Sequence, residues 1–155
     1  AGASALAAAL GRGALPRLDA LHVYNAAITD AGLVALAPAL RRRPALEFLV
    51  LRGNPFGDRG LAAFVAPPPP AGALPPPTAV LTNLVGLDLS HTQITDAGCA
   101  TLAAALDSGK LPALEHIILD GIPASDAAKT AVNEAFVRGN GKEPGNHVSF
   151  TYCTS

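Results

Sequence analysis

The chain has 155 residues, of which 50% are hydrophobic and 15% are charged. This length and apolar content suffice for one folded domain with a continuous core. The 11 basic and 12 acidic side chains leave a formal net charge of −1, so there is no field that would attract phosphate backbones, and we predict no nucleic-acid partner.

The first predicted element is a helix in residues 1–14. The segment "LAAALGRGALPRL" at residues 6–18 recurs as "LAAALDSGKLPAL" at residues 102–114, and self-similarity of this kind indicates a repeat architecture. The shared register favours a helix over the alternative, a signal peptide. We interpret residues 1–14 as the second half of a truncated repeat. Either a longer solenoid precedes it, or the chain is processed or trimmed and something else covers its open edge.

Four short segments with alternating apolar residues follow along the chain. They are "LDALHV" at residues 18–23, "LEFLVL" at 46–51, "LVGLDL" at 84–89 and "LEHIIL" at 114–119. A period of two predicts a β-strand. Because each segment occupies the same position in its repeat, we expect four parallel strands in one sheet.

An Asp follows each predicted strand and begins a helical pattern. In the first repeat, "ITDAG" at residues 28–32 leads to Leu33, Leu36 and Leu40, which have the spacing of an amphipathic helix. An Asp carboxylate can accept N–H groups left free in the first turn of a helix, and it meets the positive end of the helix dipole. We therefore predict helix caps at four equivalent positions, Asp30, Asp58, Asp96 and Asp126.

A proline-rich insertion, "APPPPAGALPPPTAVL", occupies residues 66–81. Its prolines exclude a membrane-spanning helix in this uncharged part of the chain. Runs of proline favour the polyproline II conformation. We interpret the insertion as a stiff surface loop, with a recruitment motif as the alternative.

The end of the chain, residues 143–155, is interpreted as a tail with a short capping strand. Val148, Phe150 and Tyr152 alternate there with polar or small residues. The two cysteines, Cys99 and Cys153, form no disulfide framework, and we expect Cys99 to be a small core residue.

The strand–turn–helix units resemble leucine-rich repeats of the ribonuclease-inhibitor-like subfamily. The resemblance covers roughly residues 1–140, and residues 15–142 would hold four repeats. The family's turn Asn is matched by Asn54, whereas the equivalent positions hold Ala26, Thr92 and Ile122. The resemblance implies a ladder of bonds in the turn, and loss of the Asn should weaken this ladder without changing the architecture. The resemblance implies an α/β solenoid, a horseshoe segment with parallel β-strands on the concave side and α-helices on the convex side. It also implies protein binding in the concavity.

Alternation along the strands determines which side chains leave the core and enter the concavity. Aromatic and aliphatic side chains fall on adjacent strands there, and exposed apolar area of this kind usually marks a contact surface. The alternative is that neighbouring parts of a longer chain cover them. The predicted partner-binding residues are Tyr24, His22, Phe48, Val50, Arg52, Asp88, His116, Ile118 and Asp120.

No pattern in the sequence supports catalysis, a metal site or a cofactor. The histidines do not stand at metal-ligand spacing, and nucleophile-elbow and phosphate-loop motifs do not occur. We therefore predict a non-enzymatic protein–protein interaction module, a scaffolding or structural subunit of a larger assembly. The alternative is a regulatory inhibitor or a GTPase-activating-type leucine-rich repeat protein.

The predicted partners are other protein subunits, with the rest of a longer repeat chain at the N-terminal edge as a further possibility. We expect no membrane span and a soluble chain. Without a disulfide framework, the composition is compatible with the cytosol, the nucleus or an organelle interior.

Overall fold

The computed structural model describes residues 2–12, 17–41, 45–65, 83–108, 111–140 and 148–149. Within these residues, one parallel sheet is backed by helices that alternate with the strands along the chain. The α/β solenoid predicted from the sequence is confirmed. The proline-rich insertion, Cys153 and most of the predicted tail lie outside the described residues.

The sheet contains five short parallel strands in sequence order. Leu21, Leu49, Leu87 and Ile117 pair side by side across the first four strands, so the same position of every repeat lies in one row. Each of the four predicted strands contains an observed strand at its centre. The strands are β1 (Ala20–His22), β2 (Phe48–Val50), β3 (Gly86–Asp88), β4 (His116–Ile118) and β5 (Val148–Ser149).

Strand β5 comes from the tail and pairs in parallel with β4. The sheet therefore continues past the fourth repeat on one side. On the other side, β1 pairs with β2 alone among the described residues, and its core-facing side chains differ from those of later repeats. Leu18, Leu21 and Val23 are only partly buried.

The helices stack in sequence order, each packing against the next. Helices α2 to α5 begin at the Asp residues identified in the sequence. Pro38 lies inside α2 on its exposed side. The helices are α1 (Gly2–Gly11), α2 (Asp30–Arg41), α3 (Asp58–Val65), α4 (Asp96–Asp107) and α5 (Asp126–Asn140). In the described part of the chain, no helix has the length and apolarity needed to cross a membrane.

The core lies between the sheet and the helices and runs without interruption along the stack. Leu49 and Ile117 from the strands and Leu36 and Leu102 from the helices are fully buried. Burying a Leu side chain stabilises the fold by roughly 1.5–3 kcal/mol. Because the core is one layer of such residues per repeat, each repeat depends on its neighbours for burial.

Asn54 is fully buried and joins the first two repeats. Its amide oxygen accepts hydrogen bonds from the backbone N–H groups of Ala26 (2.9 Å) and Ile28 (3.1 Å). Its amide nitrogen donates to the carbonyl oxygens of Val23 and Leu51, both at 2.8 Å. This is the role that the family resemblance assigns to the turn Asn.

The later repeats lack such a bridge in the described residues. At the position equivalent to Asn54, the Thr92 hydroxyl donates to the Leu89 carbonyl of its own repeat, at 2.8 Å. Ile122, at the next equivalent position, has an apolar side chain and is buried. The turn bonding expected of the family is therefore concentrated between the first two repeats.

The backbone is left-handed at one equivalent position in every repeat, just past the end of the strand. Asn25, Gly53, His91 and Gly121 all have positive φ there, between 46° and 74°. A Cβ atom at Gly121 would lie 2.3 Å from Nδ1 of His91, so the His91 ring occupies the space above this glycine. Asn25 covers Gly53 in the same way. The positive φ favours glycine at both positions, and the close approach requires it, since Asn25 and His91 adopt positive φ with a side chain.

Candidate functional site

The outward-facing side chains of the sheet form three rows across the repeats. Strand register aligns Ala20, Phe48, Gly86 and His116 in the first row and His22, Val50, Asp88 and Ile118 in the second. Backbone hydrogen bonds beyond the strands continue the pairing and align Tyr24, Arg52, Ser90 and Asp120 in the third. We call this surface the concave face. All nine predicted partner-binding residues lie on it.

The N-terminal half of the concave face is apolar and exposed. We call Tyr24, His22, Phe48 and Val50 the aromatic patch; Arg52 lies at its edge, beside Val50 along the same segment. Tyr24 is 53% exposed and Phe48 is 42% exposed, whereas their neighbours on the inner side of the sheet belong to the core. Among the described residues, the other large hydrophobic side chain with comparable exposure is Val34, at 38%, on helix α2.

The two aromatic rings of the first repeat hold each other in place. A 2.8 Å hydrogen bond links Nδ1 of His22 and the hydroxyl group of Tyr24. Their ring centroids are 5.8 Å apart with an interplanar angle of 78°, the edge-to-face arrangement that aromatic pairs prefer. The two rings thus contact each other through both a polar and an edge-to-face interaction.

The Phe48 ring lies over Gly86 of the neighbouring strand, where no side chain takes up the space. A Cβ atom at Gly86 would lie 2.8 Å from Cδ1 of Phe48, so the Phe48 ring rests against the backbone of β3. Gly86 therefore contributes to the aromatic patch by making room for the ring. Gly86 is not among the predicted partner-binding residues, because it has no side chain to make a contact.

The C-terminal half of the concave face is acidic. Asp88 on β3 accepts a hydrogen bond from the Ser90 backbone N–H at 2.9 Å. Burial raises the pKa of the Asp120 carboxyl, and the nearby negative charge of Asp88 raises it further. His91, Lys129 and Arg52 act in the opposite direction on this pKa. Two carboxylates of adjacent repeats thus lie near enough to influence each other.

The four Asp residues predicted as helix caps occupy the first position of their helices, but three of the carboxylates bond to the following repeat. Asp30 accepts hydrogen bonds from the N–H groups of Gly57 and Gly60, both at 2.8 Å. It thereby caps α3, where Gly57 has no side chain to do so. The prediction that Asp30 caps its own helix, α2, is wrong, because its carboxylate bonds to the start of α3.

The same bonding recurs along the stack. Asp58 accepts hydrogen bonds from the Thr95 backbone N–H (2.8 Å) and hydroxyl, and Asp96 accepts them from the Ser125 N–H (2.6 Å) and hydroxyl (2.9 Å). Thr95 and Ser125 immediately precede helices α4 and α5. The prediction that Asp58 and Asp96 cap their own helices is therefore wrong in the same way, because their carboxylates bond to the start of the next helix. The pKa of Asp96 is lowered by its bonds to Ser125.

The recurring Gly two residues after the Asp has a structural reason that the sequence analysis missed. A Cβ atom at Gly60 would lie 2.9 Å from Oδ1 of Asp30, and one at Gly98 would lie 2.3 Å from Oδ1 of Asp58. Each Gly makes room for the carboxylate of the preceding repeat. The shared "D-x-G" pattern was the available signal, because a Gly inside a helix costs stability unless a close contact requires it.

The described residues hold neither a metal-binding cluster nor an exposed thiol. They contain no group of three or more His, Cys, Asp or Glu side chains arranged to hold a metal ion. Cys99 is fully buried. Burial, together with the negative charges of Asp96 and Asp58, raises the pKa of its thiol to about 11, so the reactive thiolate form is disfavoured at neutral pH.

Comparison with known proteins gives a consistent result. A family model described as "Leucine Rich repeat" matches residues 44–65 and 80–103. The ribonuclease inhibitor of Sus scrofa is 29% identical over 113 residues, which make up 73% of this chain and 22% of that protein. The chain thus spans 22% of the length of this curated relative.

Among solved structures, the chain is similar to leiomodin-1 actin-binding site 2. The two share a TM-score of 0.62 at 14% sequence identity, and the match covers 86% of each chain. At this identity the similarity concerns the fold.

Proposed function

We propose that the chain, which is similar to leucine-rich repeat proteins of the ribonuclease-inhibitor-like type, is a non-enzymatic protein–protein interaction module. More specifically, we propose that it is a scaffolding or structural subunit of a larger assembly, and that it docks to another protein subunit through the concave face.

The observation that carries this proposal is the exposure of the aromatic patch. Tyr24 and Phe48 leave about half of their surface to solvent, although Leu49 and Leu51 on the other side of the Phe48 segment are fully buried. Leaving large apolar groups in water is unfavourable, and aromatic side chains dominate the energetics of protein interfaces. Arg52 at the edge is of the other residue type that interfaces favour.

The aromatic patch is also pre-organised. The hydrogen bond between His22 and Tyr24 and the contact of Phe48 with Gly86 restrict these side chains in the free protein. Ordering side chains at an interface costs about 0.5–1.5 kcal/mol for each flexible one. Part of that cost is already met when the sheet forms, which suits a surface that binds rather than one that is only solvated.

A second candidate function is regulatory, either as an inhibitor or as a GTPase-activating-type protein. The similarity to a ribonuclease inhibitor favours an inhibitory role. No constellation of Arg or Asn residues can be carried over from such regulators position by position, so this candidate ranks second. Purified chain added to a ribonuclease assay tests it, and we expect no change in the rate of RNA hydrolysis.

A further contact is proposed at the N-terminal edge, where the rest of a longer repeat chain would pack. The partial exposure of Leu18, Leu21 and Val23 supports it, since the equivalent residues of the later repeats are fully buried. This contact would be made by the edge of the sheet and is separate from the concave face.

The partner can be identified by affinity purification of the tagged native protein followed by mass spectrometry. The purification is done in parallel with Phe48→Ala and with Val34→Ala, a convex-face control of similar exposure. We expect a protein partner that Phe48→Ala reduces and Val34→Ala retains. Equal recovery with both variants would contradict docking through the aromatic patch.

A further inference from the structure

Charge is distributed unevenly between the strand layer and the rest of the chain. The strand segments 19–25, 47–53, 85–91 and 115–121 contain five carboxylates and one guanidinium group, a net charge of −4, whereas the whole chain has a net charge of −1. The guanidinium is that of Arg52, and the carboxylates are those of Asp19, Glu47, Asp88, Glu115 and Asp120. The balancing cations lie elsewhere, largely in the connections between elements.

One of these carboxylates adjoins the aromatic patch, and a second lies one strand further along the sheet. Asp88 pairs directly with Val50 across β2 and β3, and Ser90 beside it aligns with Asp120 on the next strand. Neighbouring strands are about 4.8 Å apart. In a segment bound across the concave face, residues only a few positions apart would therefore contact the apolar surface and the carboxylates.

We infer that the concave face accepts a basic protein segment, in which a Lys or Arg side chain stands close to an aromatic or aliphatic one. This inference rests on the proposed function and names the chemistry of the partner. The apolar side chain would pack on Phe48 and Tyr24, and the cation would lie between Asp88 and Asp120.

The electrostatics of the acidic half support this occupant. Asp120 is partly desolvated and is repelled by the like charge of Asp88, and these effects outweigh those of His91, Lys129 and Arg52, so the pKa of Asp120 is raised. A cation placed between the two carboxylates replaces lost hydration and offsets their mutual repulsion. An acidic segment would add a third negative charge at this place, and a neutral one would leave the repulsion unchanged.

The inference can be tested with three fluorescein-labelled peptides of equal length and the purified chain. One peptide combines Lys, Phe and Ser; the second replaces each Lys by Glu; the third replaces each Phe by Ser. Fluorescence anisotropy gives the three dissociation constants at low and at physiological salt. We expect the Lys/Phe peptide to bind about tenfold more tightly than either of the others, with a preference that weakens as salt rises.

Variants identify the groups responsible. The double variant Asp88→Asn/Asp120→Asn should reduce the affinity for the Lys/Phe peptide about tenfold. The matched control, Asp126→Asn/Glu134→Gln, makes the same charge change at exposed positions of α5 and should leave the affinity unchanged. Circular dichroism spectra verify that all variants are folded.

The outcomes separate this inference from the proposed function. Equal, Phe48-dependent binding of the Lys/Phe and Glu/Phe peptides would overturn the basic partner and leave the concave face as the binding surface. Equal losses in the two double variants would also overturn it, because general charge would then be responsible. If no peptide binds in a Phe48-dependent manner, the inference fails, whereas the proposed function is decided by recovery of the native partner.

Discussion

At the scale of single residues, Asn54 shows how one side chain can connect two repeats. It is fully buried, and it serves backbone N–H and carbonyl groups of two successive repeats. Buried backbone groups that lose their partners cost free energy, because water no longer reaches them. The stability of the first two repeats therefore depends strongly on this residue.

Replacing Asn54 by Ala should lower the free energy of unfolding by about 3 kcal/mol, since several buried polar groups lose their partners. Thr92→Ala is the matched variant at the equivalent position, where one hydrogen bond within the repeat is lost; it should cost about 1 kcal/mol. Urea denaturation measures both. Similar costs for the two variants would mean that the Asn54 bridge contributes little.

Asp120 should make the protein less stable at neutral pH than in mild acid. Its pKa is raised in the folded state above the ordinary 3.8, so the folded chain binds this proton more strongly than the unfolded chain does. The linked contribution to stability is therefore present at low pH and is lost as pH rises through the folded-state pKa. Asp120→Asn should raise Tm at neutral pH.

Thermal unfolding of Asp120→Asn and wild type across a pH series tests this prediction. The gain in Tm should shrink toward zero below the ordinary pKa of 3.8, because both forms are then neutral at residue 120. A gain that does not change with pH would indicate a packing effect instead.

At the scale of elements, successive helices are connected by the Asp carboxylates. Asp30, Asp58 and Asp96 each bond to the residue before the next helix. Gly60 leaves room for the Asp30 carboxylate and Gly98 for that of Asp58, whereas the position equivalent to these glycines in α5 is Ala128. Asp126, in the last described helix, makes no such bond within the described part of the chain. The bonding thus belongs to pairs of repeats rather than to single helices.

Gly98→Ala distinguishes this arrangement from simple helix propensity. Propensity alone predicts a gain of about 1 kcal/mol for Gly to Ala in a helix. The structure predicts a loss of roughly 1–3 kcal/mol, because the new methyl group would overlap the Asp58 carboxylate and the Ile94 side chain. Gly2→Ala is the control, since no atom lies within 4 Å of its Cβ position. Stabilisation by Gly98→Ala would contradict the account.

Removing the carboxylates should have unequal effects. Asp58→Ala removes the hydrogen bonds to Thr95 and should cost about 1 kcal/mol, as the loss of a helix cap does. Asp126→Ala removes none of these bonds and should cost less.

A double-mutant cycle of Asp58→Ala and Gly98→Ala should show coupling, because Gly98→Ala destabilises the fold less once the Asp58 carboxylate is gone. Additive free energies of unfolding would argue against direct contact.

The local pattern of the sequence was sufficient to predict the elements. A period of two located β1 to β4, and the change of period after each Asp located α2 to α5, since these signals depend on neighbouring residues only. The partner of Asp30 could not be predicted in this way, because Gly57 and Gly60 come beside it only when the repeats stack. The same holds for Phe48 and Gly86, which are separated by the insertion.

The concave face was predicted more completely than its internal contacts. Alternation along a strand determines the direction of Tyr24 and Phe48, so their placement followed from the sequence. The hydrogen bond between His22 and Tyr24 depends on side-chain rotamers, and the raised pKa of Asp120 depends on burial in the folded chain. Neither has a signature in the spacing of residues.

At the scale of the whole molecule, the aromatic patch exists only because repeats stack in register. Tyr24 and His22 come from the first repeat, Phe48 from the second, and the space for the Phe48 ring from Gly86 in the third. Each repeat alone exposes a few side chains; together they form one surface with an apolar half and an acidic half. The proposed binding function is thus a property of the solenoid.

The affinity of the purified complex with its native partner tests the central claim most directly. We expect the double variant Phe48→Ala/Tyr24→Ala to raise the dissociation constant by more than about tenfold. Truncation of an aromatic interface residue costs more than about 1 kcal/mol of binding free energy, and here two are truncated. Its Tm should stay close to wild type, because both side chains lie outside the core. An unchanged affinity in this folded variant would contradict binding through the aromatic patch and assign the complex to another surface of the chain.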